Sequence, residues 1–298
     1  MNMKYFLQLG GLSALWGTSF MLTRVAVSSL GPYLLATLRV ALATVVLTII
    51  MHILRHRWPL QHWRELLKLG AMAVAGPQVL YAWSAQTLPA GYGALLSVTS
   101  VLFGAFASAF LKEESLSAGK LLGCFLGFAG VALVVRLGPV APSQTLVVSA
   151  IVCMTGSALS GMSTPLLKQA IARMEPLTIT AGMHGAALML MIPGAIYDFP
   201  SANFTARALG AVTVMGVVTS GLAYWMYMRI MRHVTPLAAL SSTFMSTGFG
   251  VIWAIVLLHE ESTKELFAGG ALILLACFFV TGIKPLQRAP SHLSTDLD

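Results

Sequence analysis

The sequence predicts an all-α integral membrane protein with ten transmembrane helices in two inverted five-helix repeats. Three observations predict this fold class: an apolar composition, a series of membrane-length apolar runs, and an internal repeat. Of the 298 residues, 57% are hydrophobic and 9% are charged. A soluble domain has about 25% charged residues. This composition therefore excludes an ordinary water-facing surface.

The apolar runs are long enough to cross a bilayer. Hydrocarbon about 30 Å thick requires about 20 residues of helix. Proline, glycine and charged clusters separate the runs, and Pro77, Pro165 and Pro193 are expected to kink them. The predicted helices lie at about residues 5–23, 32–54, 66–87, 89–111, 117–136, 144–165, 176–197, 206–231, 235–258 and 265–284.

The distribution of basic residues predicts the orientation. With ten helices, 13 of the 18 Lys and Arg residues fall on the side of the N-terminus and 4 on the other, and Arg39 belongs to neither. Lys and Arg accumulate on the cytoplasmic side of membrane proteins. We therefore expect a multi-pass protein of the bacterial inner (plasma) membrane with both termini cytoplasmic.

The chain is similar to itself at a fixed offset. Residues 13–26 (SALWGTSFMLTRVA) and 157–170 (SALSGMSTPLLKQA) are identical at seven of fourteen positions, and Lys-Glu-Glu-Ser at 112–115 returns as His-Glu-Glu-Ser at 259–262. The pattern predicts one repeat over residues 1–142, a second over 143–284 and a cytoplasmic tail over 285–298. Because each repeat has an odd number of helices, the second is inserted upside down, as in many transporters.

Three short motifs stand out in the chain. They are Trp16-Gly17-x-Ser19-Phe20, Pro32 with Arg39, and Glu114 and Glu261, each nine residues before Gly123 or Gly270. Together they resemble the EamA family of the drug/metabolite transporter superfamily. The resemblance implies a ten-helix carrier with a central cavity lined by helices 1–4 and 6–9, and known members export amino acids and other metabolites. Ser160 of helix 6 is the counterpart of Trp16.

Two ionisable residues lie at membrane depth. Arg39 is about 10 Å into helix 2, where a charge costs about 2.5–3.5 kcal/mol on insertion scales. It could bind a substrate carboxylate through two hydrogen bonds, or bond to carbonyls of a neighbouring helix or snorkel outward. His184 has nearly the mirrored position in helix 7. It could bind a proton or a carboxylate, or be a neutral imidazole within a helix interface.

Aromatic residues form two related groups, Tyr81 with Trp83 in helix 3 and Tyr224 with Trp225 and Tyr227 in helix 8. They line a cavity or belong to the interfacial belt of Trp and Tyr, whereas Trp16 is too deep for that belt. The predicted substrate-binding residues are Trp16, Ser19, Arg39, Tyr81, Trp83, Ser160, His184, Tyr224 and Trp225.

The sequence argues against several functions. All ten acidic residues lie at or beyond the predicted helix ends, and zinc-protease, nucleophile-elbow and paired-carboxylate patterns are absent. We therefore expect no enzyme, no metal and no cofactor. The predicted function is export of small metabolites, amino acids foremost, by alternating access; the alternative is import, or transport of amines or drug-like compounds. The expected partners are a small-molecule substrate and the lipid bilayer, with a homodimer left open and no nucleic acid.

Overall fold

The protein is helical throughout the part of the chain that its computed structural model describes. The described residues are 3–113, 115, 117–135, 143–258 and 264–281. They form helices joined by short connections, and no strand occurs within them. Glu114, Glu261 and the predicted tail at 285–298 lie outside the described residues.

Within the described residues, the first half of the chain contains five α-helical runs. Two of them are interrupted: α3 includes a π-helical segment at Gly70–Ala75, and α4 has a break at Val98. The runs are α1 (Met3–Leu30), α2 (Pro32–Ile53), α3 (Trp63–Leu69, Gly70–Ala75 and Gly76–Ser84 in succession), α4 (Ala90–Ser97 and Thr99–Phe110) and α5 (Ala118–Val135).

The second half follows a similar order. A π-helical segment, Val214–Leu222, again interrupts its third run, and prolines lie inside α6 and α7. The runs are α6 (Gln144–Ile171), α7 (Pro176–Asp198), α8 (Ala206–Thr213, Val214–Leu222 and Ala223–Met231 in succession), α9 (Pro236–Leu258) and α10 (Lys264–Thr281).

Five helices of the described residues are long and apolar enough to cross a membrane. By length and composition these are Pro32–Ile53, Tyr92–Phe110, Gln144–Ile171, Pro176–Ser201 and Ala206–Met231, and Ala118–Gly130 is a shorter apolar helix. The prediction of an all-helical membrane protein is confirmed at this level.

Two helices extend further than their hydropathy predicts. α1 ends at Leu30 rather than near residue 23, and α6 ends at Ile171 rather than near residue 165. Arg24 and Lys168 therefore lie within helices instead of in loops. The helix can continue past each charge because the cation bonds to the C-terminal end of another helix, whose last carbonyls have no partner of their own.

These cations have related partners. The Arg24 guanidinium donates to the carbonyl oxygens of Ala85 and Gln86 after α3, the latter at 2.8 Å. The Lys168 ammonium donates to three carbonyls at the end of α8, those of Met231 (2.6 Å), Arg232 (3.1 Å) and Val234 (2.8 Å).

The first helix of each half packs along the fourth run of the other half. The Ser13 hydroxyl of α1 donates to the carbonyl of Ser242 in α9 at 3.0 Å. The Ser157 hydroxyl of α6 lies 3.0 Å from the carbonyl oxygen of Leu96 in α4. Ser13 and Ser157 are 144 residues apart. The two halves therefore pack against each other through these four helices.

Candidate functional site

A cavity of about 200 Å³ lies at the centre of the described helices. Its wall is built from α1, α2, α3 and α4 of the first half and α6, α8 and α9 of the second. Trp16, Arg39, Tyr81 and Tyr224 contribute aromatic and charged groups to this wall, and serines and threonines contribute hydroxyls. A concave site with an apolar body and a few polar groups is the usual form of a small-molecule site.

The cavity brings together most of the residues that the sequence singles out. Six of the nine line it, namely Trp16, Ser19, Arg39, Tyr81, Ser160 and Tyr224. Trp83, His184 and Trp225 do not belong to the wall.

Arg39 is bonded to α8 through neutral groups. Its Nε donates to the Ser220 hydroxyl at 2.6 Å, and its Nη2 donates to the Thr219 hydroxyl at 3.2 Å. The Met215 sulfur lies 3.9 Å from Nη1. The structure shows ion pairs at helix ends, as between Arg173 and Glu65 at 3.2 Å. Arg39 pairs with no carboxylate among the described residues.

Trp16 is held by one hydrogen bond and two aromatic contacts. Its Nε1–H donates to the backbone carbonyl of Thr219 at 2.9 Å. The rings of Tyr224 and Tyr227 meet it edge to face, with centroids 6.4 and 5.2 Å away. Such aromatic contacts are favourable because the ring edge and the ring face carry opposite partial charge. These three rings form the aromatic side of the cavity.

Tyr81 is bonded directly to α6. Its hydroxyl donates to the Ser157 hydroxyl at 3.2 Å, and Ser157 in turn lies 3.0 Å from the carbonyl oxygens of Leu96 and Cys153. The bond ties α3, α4 and α6 together at one point. It holds the Tyr81 ring in place on the cavity wall.

His184 lies behind the wall. It is 1% exposed, and its Nδ1 donates to the carbonyl of Thr180 at 2.8 Å because a carbonyl can only accept. Its ring meets the ring of Tyr224 at 5.3 Å. His184 does not line the cavity itself, but its ring contacts Tyr224, which does.

The two tryptophans outside the wall have other surroundings. Trp225 packs against a small apolar cluster that includes Leu47 and Leu177, and the Arg229 guanidinium lies 5.7 Å from its ring centroid. Trp83 is half-buried near the end of α3. Their assignment to the interfacial belt of Trp and Tyr stays a prediction.

Sequence reasoning missed the residues of α8 that hold Arg39. Met215, Thr219 and Ser220 all line the cavity and all belong to the π-helical segment Val214–Leu222. Their only signal in the sequence is the polar pair Thr219-Ser220 inside an otherwise apolar run. A π-helical turn is often found at functional sites, but its position cannot be predicted from that pair.

The sequence model of the EamA-like transporter family matches this chain twice, over residues 4–136 and 148–282. Two similar proteins from Bacillus subtilis (strain 168) are the uncharacterized transporters YvbV and YoaV. YvbV is 26% identical over 95% of this chain and 93% of its own length. YoaV is 20% identical over 93% of this chain and 97% of its own. An uncharacterized transporter of Archaeoglobus fulgidus is 23% identical over 93% of this chain and 99% of its own.

A chain of known crystal structure has a similar fold. It superimposes with a TM-score of 0.77 at 19% sequence identity, covering 94% of this chain and 97% of that chain. At this identity the likeness concerns the fold, which thus extends over nearly the whole molecule.

Proposed function

Because this chain belongs to the EamA-like transporter family, a family of membrane transporters, we propose that it exports small metabolites, amino acids foremost, across the bacterial inner membrane. Family membership and its spanning helices make it a multi-pass membrane transporter. The substrate class, the direction and the mechanism are the proposal.

The observation that carries the proposal is the position of Arg39. It is a cation on the cavity wall within the membrane-length apolar helix α2, and its partners are two hydroxyls and a thioether. A charged group within the membrane is costly unless it pairs or faces a polar cavity, and such groups often mark a transport path. A substrate carboxylate would supply the missing negative charge through charge-assisted hydrogen bonds.

The size and the aromatic side of the cavity favour a small amphipathic substrate. Pockets for drug-sized ligands measure roughly 300–1,000 Å³, which exceeds the 200 Å³ found here. The faces of Trp16, Tyr224 and Tyr227 can attract an ammonium group. An amino acid carries both a carboxylate for Arg39 and an ammonium group for these rings.

Alternating access is proposed from the relation between the halves. In this proposal ten transmembrane helices form two inverted units, residues 1–142 and 143–284, and both termini lie in the cytoplasm. The double family match and the related bonds of Ser13 and Ser157 support it. Two inverted units can exchange conformations, so that a site at their interface opens first to one side and then to the other.

Efflux from proteoliposomes tests the proposal. Vesicles preloaded with single radiolabelled amino acids should lose label faster with the protein than without it. Arg39→Ala should reduce the rate at least about tenfold, since a charge-assisted contact contributes about 1.5–3 kcal/mol. Arg207→Ala is the matched control, because Arg207 is exposed at the start of α8.

Two outcomes would contradict the proposal. One is flux no faster than from empty liposomes across the amino-acid panel. The other is an Arg39→Ala protein that is folded and transports as fast as the Arg207→Ala control.

The second candidate function is transport of amines or drug-like compounds, which is favoured by the aromatic side of the cavity alone. It predicts flux of decarboxylated analogues that is insensitive to Arg39→Ala.

A further inference from the structure

The π-helical segment of α8 supplies every partner that the structure shows for the Arg39 side chain. Met215, Thr219 and Ser220 each lie against a different guanidinium nitrogen. Thr219 also accepts the indole N–H of Trp16 at its backbone carbonyl. One residue of α8 therefore holds both the cation and the aromatic ring of the site.

The hydroxyl of Thr219 has a defined bonding pattern. It donates its proton to the carbonyl of Met215 at 2.8 Å. Its oxygen then accepts from the Arg39 guanidinium at 3.2 Å and from the Ser19 hydroxyl at 3.3 Å. A hydroxyl has one proton and two lone pairs, so all three are used. Thr219 is 1% exposed.

The guanidinium retains donors for a ligand. It has five N–H groups, and Ser220, Thr219 and Met215 engage one on each nitrogen. Among the described residues, no further acceptor is bonded to the second N–H of Nη1 or of Nη2. Two parallel N–H groups match the two oxygens of a carboxylate, provided that the guanidinium plane is held in one orientation.

We propose that Thr219 is the positioning residue that orients Arg39 for an acidic group of the substrate and so sets the preference for carboxylates over their neutral analogues. The identity of the ligand rests on the function proposed above, whereas the orientation of Arg39 does not. Binding to an Arg39 side chain that is already held in one orientation is favoured, because this side chain then loses less conformational entropy when the substrate binds.

The first test needs no substrate. Phenylglyoxal modifies arginine side chains, and mass spectrometry of the peptide that contains Arg39 gives its rate of modification in purified protein. Thr219→Val keeps the shape but removes the acceptor, and should raise this rate about tenfold, the equivalent of one hydrogen bond to a charge. Thr219→Ser keeps the hydroxyl and should match the natural protein.

Two controls accompany this test. The modification rate of Arg207, which is exposed at the start of α8, reports the reagent concentration in each sample. Thr213→Val is the matched variant, since the Thr213 hydroxyl also donates to a carbonyl four residues earlier, that of Leu209 at 2.8 Å, but on the exposed side of α8. It should leave the modification of Arg39 unchanged.

The second test measures selectivity. In efflux assays, the ratio of KM values for an amino acid amide and the parent amino acid should fall about tenfold in Thr219→Val and stay unchanged in Thr219→Ser and Thr213→Val. If Thr219 acted through packing alone, Thr219→Ser would change the KM ratio more than Thr219→Val, because valine preserves the volume of threonine and serine does not.

The outcomes separate the two proposals. Equal modification rates of Arg39 in Thr219→Val and the natural protein would overturn the positioning role. Faster modification with an unchanged KM ratio would overturn the role in selectivity. Absence of amino-acid flux in the natural protein would defeat the proposed function, and the modification rates would still decide the role of Thr219.

Discussion

At the residue scale, Gly31 and Asp198 fix the joint between the first two helices. Gly31 has a φ of +73°, the left-handed region that favours glycine. As the residue before α2 it has no side chain to cap the helix. The Asp198 carboxylate of α7 does so instead, accepting from the backbone N–H of Tyr33 at 2.7 Å and of Leu34 at 3.1 Å. Its negative charge also complements the positive end of the helix dipole.

Removal of this cap should destabilise the protein. Asp198 is 6% exposed, and bonds to a charged acceptor contribute about 1.5–3 kcal/mol. We expect Asp198→Ala to lower the free energy of unfolding by about 2 kcal/mol, measured by thermal unfolding in detergent. Asp198→Asn, which keeps one acceptor oxygen, should lose less. An Ala variant as stable as the natural protein would show that water or another group caps α2 equally well.

The site was predictable in part at this scale. Arg39 and Trp16 stand out because a charge and a large polar-tipped ring at membrane depth need a partner. Thr219 and Ser220 do not stand out, since a hydroxyl in a helix can satisfy itself on the preceding turn. Only the structure shows that the Thr219 oxygen accepts from Arg39 as well.

At the element scale, close approach of small residues joins helices of different halves. A Cβ at Gly161 of α6 would overlap the carbonyl oxygen of Ser100 in α4 and lie 2.9 Å from the Gly104 nitrogen. A Cβ at Gly17 of α1 would lie 2.8 Å from the Gly250 nitrogen in α9. Small residues permit such contacts in lipid, where helices associate through packing rather than through the hydrophobic effect.

Gly161→Ala should therefore separate α6 from α4. The backbone atoms that it meets cannot move aside as a flexible side chain can, and overpacking costs about 1–3 kcal/mol. We expect a lower unfolding temperature in detergent. Gly11→Ala is the matched control, because a Cβ there meets nothing within 4 Å and alanine is the better helix former. Equal unfolding temperatures for the two variants would contradict the close contact.

Hydropathy located the helical runs but not all of their ends. It measures transfer from water to lipid, and it therefore places a boundary at each charge. Arg24 and Lys168 do not end their helices, because carbonyls of α3 and α8 accept their hydrogen bonds. A hydropathy profile also cannot predict the π-helical segments Gly70–Ala75 and Val214–Leu222, because a π-helical turn changes the backbone hydrogen bonds and not the composition.

At the scale of the whole molecule, the features of the two halves recur at nearly constant spacing. Arg24 and Lys168 differ by 144 positions, as do Ser13 and Ser157, and each member of a pair makes the same kind of bond. The π-helical segments begin at Gly70 and Val214, again 144 apart. The recurrence supports two units of like fold around one cavity, and the proposed carrier mechanism requires that these units be inverted.

Cysteine labelling tests this inversion most directly. Ser28 near the end of α1 and Ala172 after α6 are both exposed and are 144 residues apart. Ser28→Cys and Ala172→Cys would be made separately in a protein whose Cys124, Cys153 and Cys277 are replaced by alanine. With a membrane-impermeant maleimide added to spheroplasts, inverted halves predict that position 28 is labelled from outside and position 172 only after lysis. Labelling of both positions from the same side would contradict it.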